Sequence, residues 1–301
     1  MPARRPRCAT LLARASLAAA LAATAGLGCS DSTAPAPLVA PPFVFVSDAE
    51  GTLGIFRADA GTVARLSAAG HDDREPHSAD GRIVFTSRRD GNPEIYIAAL
   101  DLTNAVRLTT TSATDTRPAL NPAGTTVAFV SSRSGAPRVW LMDADGSNPR
   151  ALNTGSLTFV PEGSPSWSPA GGHIAFTSTR TNTSQVFVMP AAGGEAIQLS
   201  RESGGAFTPV WSADGRFVHY MALAGGHRLV SVPSGGGDPR SFAEDEMGLS
   251  ELTCGGSICL ATVGPLDAAG DLIILSRDGR RRAVALERAA NDRQAAILVQ
   301  P

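Results

Sequence analysis

Lysine is absent from this chain of 301 residues; all 26 basic side chains are arginine, against 28 acidic ones. Nothing in the pattern requires guanidinium chemistry at every site, so the absence reads as compositional bias. Four arginines lie before residue 15, and no Asp or Glu precedes Asp31. Beyond that leader the chain is mildly acidic. This excludes the electrostatic footprint of a nucleic-acid binder and a polybasic membrane patch. No apolar run reaches the roughly 20 residues that span a bilayer core. Amphipathic helical patterns are missing outside the N-terminus, whereas Gly (31) and Pro (21) are frequent; that balance favours short strands joined by turns. There is no G-x-S-x-G elbow, no pair of histidines at helical ligand spacing and no C-x-x-C.

Aromatics are few, but they are not scattered. The stretch PSWSPAGGHIAFTSTR (Pro165 to Arg180) returns in degraded form as EPHSADGRIVFTSRR, RPALNPAGTTVAFVSSR and TPVWSADGRFVHYMA. Its aromatic falls at Phe85, Phe129, Phe176 and Tyr220, a period of 44 to 47 residues. A fixed period of this size marks stacked supersecondary units. In the best copy, Ser164 to Ser168, His173 to Ser178, Gln185 to Met189 and Ala196 to Ser200 read as four strands joined by tight turns. Four antiparallel strands per repeat make a propeller blade.

Two weaker units flank the clear four. Phe43 to Ser47, Gly54 to Ala58 and Ala64 to Ser67 supply three strands with no first strand before them. Glu251 to Val263, Asp271 to Ser276 and Arg282 to Leu286 make a sixth unit, and Ala295 to Val299 is left over as a lone apolar strand. Sharing the first blade between the two chain ends closes the ring and removes exposed edges. The expectation is an all-β, six-bladed propeller over residues 43–301, closed by the C-terminal strand.

Residues 1–29 read as a secretory signal: a basic start, a mainly apolar run of thirteen residues from Ala15 to Leu27, then Cys29. Gly26-Leu27-Gly28-Cys29 resembles a bacterial lipobox, with Gly26 where that motif usually has an aliphatic residue. The resemblance implies lipidation of Cys29, and Ser30 after it implies sorting to the outer membrane. The alternative is a plain secretory peptide, which leaves a periplasmic or secreted protein. Residues 30–42 are rich in Pro, Ala and Ser and read as a semi-extended tether.

The P-x-W-S-x-D/A-G turn, the I-A-F-x-S-x-R strand after it and the later I-Y strand resemble the TolB-like, WD-repeat-like propellers. The resemblance covers most of the chain beyond the tether. It implies an exported protein that binds other proteins through one face.

Residues with chemical potential are sparse. His71, Asp73 and Glu75 form a charged run between two repeats, at a position expected to line the channel mouth. Asp115, Arg117 and Glu162 occupy the matching connections. Such a set could hold a cation, a sugar or a peptide, or be only a solvated ring of polar loops. His77 stands where other repeats have Leu120, Trp167 and Trp211, and His173 and His219 sit in a strand, so these read as packing residues. Cys254 and Cys259 flank the turn between the first two strands of the sixth unit, where a disulfide is expected in an exported protein.

Together these point to a non-enzymatic, monomeric envelope lipoprotein without a cofactor, whose propeller is a platform for a protein or peptide. The competing expectation is a carbohydrate-binding or lyase-type propeller with a divalent cation at the channel mouth.

Overall fold

Each repeat folds as a four-stranded antiparallel sheet because its second strand has two apolar faces to bury. The computed structural model describes residues 38–152, 160–223, 226–245, 249–255, 258–263, 271–276, 282–286 and 292–298. The leader with Cys29, and the tether as far as residue 37, lie outside them.

The first blade holds β1 (Phe43–Ser47), β2 (Gly54–Asp59) and β3 (Thr62–Arg65). The second holds β4 (Arg74–Ala79), β5 (Arg82–Ser87), β6 (Glu94–Ala99) and β7 (Val106–Arg107). The third holds β8 (Asp115–Leu120), β9 (Thr126–Ser131), β10 (Arg138–Asp143) and β11 (Arg150–Ala151). The fourth holds β12 (Glu162–Trp167), β13 (His173–Thr181), β14 (Thr183–Pro190) and β15 (Ile197–Gln198). The fifth holds β16 (Ala206–Trp211), β17 (Phe217–Leu223), β18 (His227–Pro233) and β19 (Arg240–Asp245). The sixth holds β20 (Leu249–Gly255), β21 (Ile258–Val263), β22 (Asp271–Ser276) and β23 (Arg282–Leu286).

The last strand, β24 (Arg293–Ile297), pairs antiparallel with β1 and completes the first blade in the order β24-β1-β2-β3. The ring is therefore closed as expected, with the closing strand two residues nearer the N-terminus than its apolar run suggested. Leu38 and Ala40, expected in the tether, pack against the apolar cluster that the first and sixth blades share. The outermost strands of blades two to four shrink to two residues each. The leucine that follows each pair is buried instead, and its amide donates to strand three, as in Leu108 N to Ile95 O at 2.8 Å.

The core is divided among the blade interfaces. Along β5, Ile83 and Phe85 pack toward the first blade, while Val84 between them packs toward the third. Along β9, Val127 and Phe129 face the second blade and Ala128 the fourth. This is the period-2 alternation of a strand with both faces covered. The repeated aromatic always faces the preceding blade. It carries no exposed surface at Phe85, Phe129, Phe176 or Tyr220.

A second repeated device ties strands together within blades two to four. In F-x-S-x-R the arginine folds back over the aromatic of its own strand. Arg133 lies 5.2 Å from the Phe129 ring centre and 4.8 Å from that of Trp140 on β10. Its Nε donates to Ser131 Oγ and its Nη2 to Asp115 Oδ2, each at 2.8 Å. Arg89 and Arg180 repeat this with Asp73 and Glu162. In blade five the arginine is missing. Tyr220 donates its hydroxyl to Glu202 at 3.1 Å, and Arg228 donates to the same carboxylate at 3.0 Å.

In the sixth blade Cys254 and Cys259 are joined across the β20–β21 hairpin. In blades four and five the turn between the first two strands is held instead by the Ser168 and Ser212 hydroxyls, which accept an amide at 3.0 and 2.9 Å.

Removing one partner of a buried pair strands the other. Asp115→Ala should therefore cost about 3–5 kcal/mol, measured by urea denaturation. A cost below about 1 kcal/mol, the range of an exposed pair, would contradict the pin.

Candidate functional site

The six innermost strands run side by side around a central channel. Each forms a ladder only with strand two of its own blade, so the backbone groups of its other edge look to side chains and loops of the neighbouring blade or to the channel. Prolines suit such an edge because they have no N–H to strand. They stand at Pro76, Pro118, Pro165 and Pro209, and all four line the channel. The residue before each proline is a bulge, where the register against strand two slips. Glu75, Arg117, Ser164 and Thr208 accordingly take left-handed backbone angles, with φ of 54, 52, 47 and 45°. Gln294 of β24 does the same at 51°. Positive φ is uncommon for such residues, so its return at one place in five blades is imposed by the fold.

These residues form the rim of a cavity of about 420 Å³. At the rim, side chains reach to the next blade's backbone. Glu251 Oε2 accepts the Gln294 amide at 2.6 Å. Gln294 Oε1 accepts the Glu75 amide at 3.1 Å, and Glu75 Oε2 accepts the Arg117 amide at 2.8 Å. At Arg117 the relay reverses, because a guanidinium can only donate. Its Nη1 donates to Ser164 Oγ at 2.6 Å, and its Nε lies 3.6 Å from Glu75 Oε1. Burial pushes the Glu251 carboxyl above the usual carboxylate range. The far end of the channel differs: Pro122, Pro169, Ala213 and Gly255 line it, with no charged side chain among these four.

Of the residues expected at the mouth, Glu75 and Arg117 reach it. Asp73, Asp115 and Glu162 do not: at 0, 0 and 4% exposure they lie between strands, held by Arg89, Arg133 and Arg180. His71 is half-buried on the preceding loop, where its carbonyl accepts the Arg88 amide, and it does not line the channel. Ser164, Thr208, Glu251 and Gln294 were not anticipated. For two of them the signal was available, since Ser164 and Thr208 each precede the repeat's proline.

His77 is also displaced from its expected place. Ser78, not His77, holds the strand position of Leu120, Trp167 and Trp211, as the pairings with Ile83, Val127, Ile174 and Val218 show. His77 instead matches Ala119, Ser166 and Val210, and it lines the channel. Its Nδ1 accepts the Leu120 amide at 3.3 Å, and burial lowers its pKa from 6.5 to about 4. Among the described residues, no three His, Cys, Asp or Glu side chains are grouped to share a metal ion.

Residues 76–162 match the model of the TolB beta propeller domain. A TolB homolog of Chlorobaculum tepidum is 40% identical over 60 residues, which is 20% of this chain and 14% of that protein. The chain thus aligns with about a seventh of this relative's length. The crystal structure of TolB from Acinetobacter baumannii superposes with a TM-score of 0.72 at 18% identity, covering 85% of this chain and 66% of that one. A putative TolB from Agrobacterium tumefaciens gives 0.69 at 14% identity, covering 87% and 93%. The fold and its open channel define a six-bladed β-propeller. More narrowly, residues 76–162 are similar in sequence to the TolB propeller domain, and the whole ring shares its fold with these TolB structures.

The folded chain refuses a proton at His77 that the unfolded chain takes up below pH 6.5. This residue therefore removes stability as pH falls from 6.5 toward 4. His77→Gln, which keeps an acceptor for the Leu120 amide, should flatten the dependence of the urea midpoint on pH across that window. Parallel profiles for the two proteins would contradict the assignment.

Proposed function

We propose that this protein is an exported, non-enzymatic binding platform, tethered to the outer membrane through lipidated Cys29, which engages an envelope protein or peptide at its charged channel mouth. The observation that carries the proposal is the asymmetry of the channel, with Glu75, Arg117, Ser164, Thr208, Glu251 and Gln294 at one end and prolines and small residues at the other. A rim of polar groups around an apolar hollow offers a partner both orientation and buried area. Similarity to TolB homologs supports an envelope role, and the disulfide suits an oxidising compartment.

The direction of the chain fits the same picture. β1 begins opposite Ile297, at the end of β24 away from Gln294. The chain therefore enters the propeller at the end opposite the charged mouth. The charged mouth is thus clear of the segment that leads into β1.

The lyase reading needs an acidic, histidine-bearing cluster at the mouth. Asp73, Asp115 and Glu162 are instead each engaged by an arginine, so no specific feature favours it over the platform.

Photo-crosslinking in intact cells tests the proposal. A crosslinking residue placed at Ser164 should give discrete adducts with an envelope protein, and one placed at Ala213 on the opposite end should not. Adducts from Ala213 alone, or from neither position, would count against the mouth as the docking face. In the same preparation, the intact mass should correspond to a diacylated chain beginning at Cys29.

A further inference from the structure

We propose that the channel mouth captures the C-terminal carboxylate of a peptide chain, with the last side chain inserted between the prolines below. This rests on the platform reading and names the chemistry that the mouth selects. The argument turns on which polar groups at the rim are already engaged.

On one side of the ring the acceptors are taken. Glu251 and Gln294 each hold the next blade's amide, and Glu75 holds both the Arg117 amide and the Thr86 hydroxyl, each at 2.8 Å. A cation approaching this side would have to displace those donors.

On the other side the donors are left over. Ser164 and Thr208 share the left-handed backbone position whose amides are accepted by side chains in blades one to three. Among the described residues no side chain accepts the amide of either. The preceding residue on the ring is Arg117, which cannot accept, and then Ser164, whose hydroxyl already receives Arg117. The Thr208 hydroxyl oxygen is buried without a partner. The Arg117 side chain is 53% exposed, and the contacts that engage it use Nη1 and Nε. Donors without an acceptor, on rim strands beside an exposed guanidinium, are the chemistry of carboxylate capture.

One residue further along each strand the wall turns apolar, at Pro118, Pro165 and Pro209, with Trp167 and Trp211 beyond. Both indoles are held rigidly, each donating Nε1–H to a carbonyl of the preceding blade at 2.9 and 3.1 Å. A chain end therefore fits better than an internal acidic residue, because its carboxylate lies next to the apolar side chain that enters the hollow.

The test uses acetyl-Gly-Ala-Ala-Leu as the free acid and as the C-terminal amide, titrated against the full chain and followed by tryptophan fluorescence. The free acid should bind at least about tenfold more tightly, the loss expected for one charge-assisted contact. Arg117→Gln should remove that preference while leaving the melting temperature near wild type. If Arg117→Gln is destabilised, Thr208→Val, which keeps the side-chain shape, should still weaken the free acid several-fold and spare the amide. Equal binding of acid and amide, no binding of either, or preference for a uronic-acid disaccharide over the peptide would overturn the proposal. Crosslinks from Ser164 would stand in each of those cases, so failure of carboxylate capture is distinguishable from failure of the platform.

Discussion

Everything in this molecule depends on the pairing of β24 with β1. A blade has two apolar faces and can cover neither by itself, so a row of blades must end in two exposed faces and two open edges. Closure removes both problems at once. Ala296 joins Val44 and Phe85 in the core between the first and second blades. Ile297, with Phe43 and Phe45, completes the core between the first and sixth. The strand farthest along the chain thus finishes two interfaces at its beginning.

The same strand finishes the mouth. Gln294 stands between Glu251 and Glu75 in the relay of side chains and amides, so five residues of closing strand supply both stability and the continuity of the rim. The relay also explains why Arg117 matters. Replacing an acceptor by a donor at one position divides a uniform ring into a satisfied arc and an unsatisfied one. The polarity of the site follows from that one residue, because Arg117 is the single cation of the rim and Glu75 and Glu251 are already engaged by amides.

Much of this was legible in the sequence. The 44- to 47-residue period, the four strands per repeat and the spare C-terminal strand follow from period-2 patterning and turn residues, which act locally. What escaped was set by contacts between distant residues or by the bulge. Asp73, Asp115 and Glu162 look like loop carboxylates until the arginine of F-x-S-x-R, 16 to 18 residues later, is seen folded onto them. His77 lies one position from its expected place because the turn after its strand is two residues shorter than in the other copies, with Ser78 opposite Ile83 where Trp167 stands opposite Ile174. The rim residues had a signal in the residue before each proline, but its meaning required the left-handed backbone that the bulge imposes.

The most direct test of this account is the stability of a chain that ends at residue 291 and so lacks β24. With two interfaces unfinished it should lose its cooperative thermal transition, and a synthetic peptide of residues 292–301 should restore it. A truncated chain that melts cooperatively near the temperature of the full protein would show that the ring does not depend on its closing strand.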